Sequence, residues 1–131
     1  FTEASINITK SQISDLGTYQ AITVDTLTTP SSAPGFISTI AIASGEQKII
    51  KARVRGFNPA TNDGIWKTMT FGVKNVAGTV SMMGGVDSAV GYDAGAAAWT
   101  IVAGVSLGNA IITITGEFST PIDWTSTIEV D

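Results

Sequence analysis

The sequence holds no histidine and no cysteine, so the side chains left for chemistry are carboxylates, hydroxyls, cations and aromatic rings. That excludes a Ser-His-Asp triad, a Cys-His pair and the ordinary zinc sites. A glycoside hydrolase needs only two carboxylates, and Asp87 and Asp93 lie close enough in sequence to be weighed as such a pair. Asp63, Asp87 and Asp93 are also hard oxygen donors of the kind that Ca²⁺ takes. Yet no D-x-D-x-D-G loop is present, and Asn62-Asp63-Gly64 is a good turn sequence. The turn reading fits all three carboxylates better, so the chain is expected to be non-enzymatic and to hold no metal. Nor is a cofactor expected: Gly84, Gly85, Gly91 and Gly95 match neither G-x-G-x-x-G nor a P-loop.

Two other groups could bind rather than react. Lys51, Arg53 and Arg55 alternate along one segment, a spacing that puts three cations on one face of a strand. Such a stripe could take a polyanion, for example lipopolysaccharide phosphate or an acidic glycan. The preferred reading is a solvated or salt-bridged strand face. Six of the seven basic residues lie between Lys48 and Lys74, and none follows Lys74. Asp87, Asp93, Glu117, Asp123, Glu129 and Asp131 all fall in that later stretch. The basic middle strand is therefore expected to meet the acidic C-terminal part, within one subunit or across two. Among the aromatics, Trp99 and Trp124 sit in apolar patterns and read as core or interface. Trp66 and Tyr92 lie beside or within turn-rich segments and are the better candidates for stacking on a ligand ring.

The segments that must position these groups read as antiparallel strands. Ile122, Trp124, Ser126, Ile128 and Val130 share one face, while Asp123, Thr125, Thr127, Glu129 and Asp131 share the other, an alternation only a strand separates. Further strands are expected at 110–115, 97–103, 48–57, 65–74, 79–83, 36–42 and 19–27. Ile50, Ala52 and Val54 should point inward, as should Met69, Phe71 and Val73. Leu107-Gly108-Asn109 should make a tight turn. About eight strands with regular turn signals predict an all-β antiparallel sandwich, jelly-roll-like. Two loops stand out as places for contact specificity: 58–64, and a long one at 84–95. From them Asn58, Thr61, Asn62, Asp63, Asp87, Ser88, Tyr92 and Asp93, with the adjoining Trp66, are the candidate receptor contacts.

Residues 1–18 differ from the rest. Ile6, Ile8, Ile13 and Leu16 stand among small polar residues, and Ser11–Gly17 could form one helical turn closed by Gly17. One copy cannot bury those four side chains. Three copies packing them along an axis could, as the end of a stalk carrying a head domain at 19–131. The composition supports assembly: 14% of residues are charged and mean hydropathy is +0.29, against about 25% charged in ordinary globular chains. No run of about 18 apolar residues exists to cross a membrane, so a subunit interface is the natural place for the surplus, and a homotrimer is expected. A net charge of −4 argues against nucleic acid as partner. No signal peptide is visible, and the start without Met is read as a piece of a longer protein.

Two stretches resemble a known family. Ile8-Thr9-Lys10-Ser11-Gln12-Ile13-Ser14-Asp15-Leu16-Gly17 resembles a phrase, roughly I-T-x-S-Q-I-x-D-L, common in bacteriophage tail-fibre and spike proteins along shafts or just before a terminal domain. Ala96–Trp99, Ile112–Gly116, Ser119-Thr120 and Ile122–Val130 resemble the C-terminal heads of such virion proteins. Ser126 departs from the small Ala usual there, and the tail before Glu129-Val130 is shorter. The resemblance implies a trimeric β head at a fibre or spike tip, acting in host attachment through a cell-surface glycan or protein, or in contacts with other virion proteins. It carries over no catalytic residues. A capsid decoration protein and a carbohydrate-binding or adhesin module remain as alternatives.

Overall fold

The structure, a computed structural model, describes residues 21–131. Ile6, Ile8, Ile13, Leu16 and the expected stalk turn lie outside the described residues. Eight strands follow in order: β1 (Ala21–Thr29), β2 (Gly35–Ala41), β3 (Gln47–Phe57), β4 (Gly64–Val76), β5 (Thr79–Tyr92), β6 (Thr100–Ser106), β7 (Asn109–Thr115) and β8 (Ile122–Val130). They form two antiparallel sheets, one of five strands in the order β1-β8-β3-β4-β5 and one of three in the order β2-β7-β6. The sheets face each other as a sandwich, and the core lies between them.

Period-two patterning decides which residues meet there. Ile50, Ala52 and Val54 of β3, Met69, Phe71 and Val73 of β4, and Ile122, Trp124, Ser126 and Ile128 of β8 are all buried. From the smaller sheet Ile37, Ile101, Ile112 and Ile114 close over them. Each large apolar side chain removed from water contributes about 1.5–3 kcal/mol. Trp99 and Trp124, expected in the core or at an interface, are both buried in the core and meet edge to face, with ring centroids 5.9 Å apart. Their indole N–H groups are both satisfied: Trp124 Nε1 donates to Thr29 Oγ1 at 2.8 Å and Trp99 Nε1 to Glu117 Oε1 at 3.1 Å. One polar chain crosses the core: Ser38 Oγ lies 2.9 Å from Ser126 Oγ and 2.8 Å from Asp25 Oδ2. Ser126 therefore has a partner that Ala could not supply.

Two expectations need correction. The segment 84–95 is not a long loop, because β5 runs unbroken to Tyr92, far past Met83. Its glycines suggested a loop, but β4 offers a free edge of matching length. Pairing continues past a bulge, where the register shifts between Thr70 and Gly72, and Gly84 takes the positive φ of 79° there. The strand expected at 97–103 begins instead at Thr100, after a 3-10 turn at Ala94–Ala96. The turn before β7 is Leu107-Gly108, with φ of 48° and 80° and Ser106 paired to Asn109, the twisted geometry that suits a hairpin.

Candidate functional site

The outward face of the five-stranded sheet is where the charged and aromatic groups collect. On β3 the alternation that sends Val54 and Gly56 inward sends Lys51, Arg53, Arg55 and Phe57 outward. The register places Arg55 opposite Trp66 on β4 and opposite Thr125 on β8. Phe57 sits between Gly64 and Asp123. The expected meeting of basic middle strand and acidic end is thus realised within one chain, since β3 pairs directly with β8.

At the β3–β4 turn these residues enclose an open cleft of about 690 Å³, within the range of small-ligand sites. Arg55, Phe57, Trp66, Tyr92, Asp93 and Asp123 line it, with Thr125 and three glycines. Two rings remain half-exposed around it, Phe57 at 43% and Trp66 at 49%, while Tyr92 stands opposite core Ile65 and so turns its exposed ring to the other face of the sheet. Gly91 explains the pose of Trp66, because a Cβ there would run into the indole nitrogen and its ring. The carboxylates are partly committed. Asp93 Oδ2 accepts from the Gly64 amide at 2.9 Å, and Asp123 Oδ1 accepts from the Thr28 hydroxyl at 3.0 Å. Arg55 has no carboxylate within 4.0 Å among the described residues.

The candidate contacts divide accordingly. Trp66 and Asp93 come together in the cleft, whereas Tyr92 borders it but takes the parity of core Ile65. Thr61 and Asn62 are exposed at the tip of the neighbouring turn, where Asn62 takes a φ of 63°. Asp63 packs against Gly95. Asn58 is a fastener of that turn: it is buried, its amide donates to Asp63 O, and its Oδ1 accepts from the Ala60 amide at 2.9 Å. Asp87 and Ser88 lie within β5, opposite Thr70 and Met69, well away from the cleft. Six residues of extended chain separate Asp87 from Asp93, roughly 20 Å at the usual rise, too far for the ~5–9.5 Å carboxyl separation of a glycosidase. Among the described residues no three acidic side chains cluster as metal ligands.

Phe57, Asp123 and Thr125 were not singled out from the sequence. Their outward parity was legible, but their nearness to Trp66 depends on strand order. Arg55 belongs to the stripe expected to form a solvated or salt-bridged strand face. Both parts of that reading are met: among the described residues Arg53 alone of the stripe has a carboxylate within 4.0 Å, Glu129 at 3.5 Å, and its side chain is 67% exposed.

No family model and no curated protein sequence matches the chain. Among solved structures, the tailspike protein of Acinetobacter baumannii phage AM24 is similar over 83% of this chain and 26% of its own, at 8% identity and a TM-score of 0.41. The tailspike protein of Acinetobacter phage vB_ApiP_P1 is similar over 97% of this chain and 24% of its own, at 17% identity and a TM-score of 0.39. The chain thus spans about a quarter of the length of each tailspike it resembles in part.

Proposed function

We infer that this chain is a structural and recognition module of a phage tail, a fibre or spike head that attaches to a host-surface glycan through the cleft around Trp66. The observation that carries the reading is the convergence of two half-exposed rings, Phe57 and Trp66, on one open cleft of the five-stranded sheet, with Arg55 beside them. Ring faces stack on the C–H faces of sugars, and a preformed platform loses little entropy on binding. The sequence phrases described above supply the viral setting. Assembly as a homotrimer is supported by the smaller sheet: β2, β6 and β7 contain no charged residue. On its outward face Phe36 and Val102 are more than half exposed, a surface suited to burial against a copy.

A glycan array probed with the wild-type chain and Trp66→Ala tests the reading. Binding to a subset of glycans that the variant loses by about tenfold or more is expected, stacking being worth about 1.4 kcal/mol or more per ring. Wild-type and variant giving the same array pattern refutes it. Light scattering checks the assembly, where a species of only 13.5 kDa counts against the trimer.

A further inference from the structure

We propose that the cleft is one end of a groove for a linear, negatively charged polysaccharide, with Arg55 as its principal anion contact; this deepens the glycan-attachment reading and rests on it. Three depressions adjoin on the outward face along the β3–β4 pair. The first and second share Arg55, Trp66 and Thr125, and the second and third share Arg53 and Thr68. Lys51, Arg53 and Arg55 follow one another along it, each two residues and so about 7 Å from the next. That separation is shorter than the ~10 Å screening length at moderate salt. The row repels itself unless anions lie beside it.

Protein carboxylates meet this need only in part. Lys51 stands opposite Glu129 in the ladder, but Glu129 makes its ion contact with Arg53. Arg53 and Arg55 stand opposite Thr127 and Thr125. Asp123 lies at the Phe57 end and is held by Thr28. Asp87 lies beyond Thr70 on β5. Lys51 and Arg55 have no carboxylate within 4.0 Å among the described residues. A guanidinium forks onto a carboxylate or phosphate with two parallel hydrogen bonds. The threonine hydroxyls of the groove both donate and accept, matching sugar hydroxyls, and Trp66 offers a ring face. An acidic peptide would use the cations and leave the ring and hydroxyls idle, so the sugar is the better occupant.

The probe is a polygalacturonate oligomer, compared with the same oligomer after its carboxylates are reduced to alcohols, each titrated calorimetrically into the full chain. The charged oligomer is expected to bind at least about tenfold more tightly, with added salt weakening it alone. Arg55→Gln should erase that preference, whereas Lys48→Gln, which removes the same charge from the opposite parity of β3, should leave it. Equal binding of both oligomers, or equal losses in the two variants, overturns the proposal. So does poly-glutamate binding as tightly with the same dependence on Arg55. Where the neutral oligomer binds and Trp66→Ala abolishes it, only the charge assignment falls. Where neither oligomer binds and Trp66→Ala leaves the glycan array unchanged, the attachment reading falls with it.

Discussion

Gly56 lies directly opposite Trp124 in the β3–β8 ladder, and the indole lies across it. A Cβ built on Gly56 comes within 2.6 Å of two indole carbons, while carbon atoms prefer about 3.5–4.0 Å. The overlap is thus about 1 Å. The ring cannot swing away freely: Nε1 is tied to Thr29 and one edge is packed on Trp99. The φ of Gly56 is not in the left-handed region, so Gly56→Ala tests packing and not backbone strain. Overpacking of this kind costs about 1–3 kcal/mol. Alanine also restricts the unfolded chain, which returns about 0.4–1 kcal/mol. The expected net loss is therefore about 1–2 kcal/mol. With a urea slope of about 2 kcal/mol per M, the unfolding midpoint should fall by about 0.5–1 M at fixed protein concentration. Near-ultraviolet circular dichroism should report a disturbed tryptophan pair. Adding Trp124→Leu to Gly56→Ala should cost less than the sum of the single changes, since the smaller side chain vacates the overlap. A midpoint unmoved by Gly56→Ala, or strict additivity in the double variant, would refute the packing account.

Two further outcomes follow from local geometry. Ala77 holds a φ of 52° in the two-residue turn before β5, a conformation that costs an L-residue about 1–2 kcal/mol and that Asn tolerates; Ala77→Asn should raise the melting temperature by a few degrees, measured by calorimetry. Glu46 accepts a hydrogen bond from the Ala43 amide at 2.7 Å and pairs with Lys48 at 3.1 Å. The amide contact first and the lysine second hold its carboxyl below the ordinary glutamate value. A lowered folded value means that the stabilisation is complete above the unfolded value and fades as pH falls through the folded one. The stability difference between wild-type and Glu46→Gln should accordingly be present at neutral pH and vanish in acid, as read from urea midpoints across that range.

Much of the fold was legible because alternation is a local property. The inward sets of β3, β4 and β8 could be assigned from the chain alone, since side chains two apart in a strand must share a face. The tight turns at Leu107-Gly108 and near Gly64 announced themselves through residues that accept unusual backbone angles. Segment 84–95 misled for the same reason: glycine-rich sequence has weak local preference, and a neighbouring strand edge decided its state. Asn58 misled as well, because a polar turn residue can bond inward to its own backbone as readily as outward to a ligand.

Residue types and their periodicity thus settled that this chain makes strands, which side chains each strand turns inward, and that histidine- or cysteine-based chemistry is absent. Folding settled the rest: β3 lies between β4 and β8, β5 extends to Tyr92, and the resulting cleft gathers Arg55, Trp66, Tyr92 and Asp123. Those residues come from four strands, and no local pattern encodes which strand edges will pair. That choice is made by the summed burial of the two sheets, a property of the whole chain.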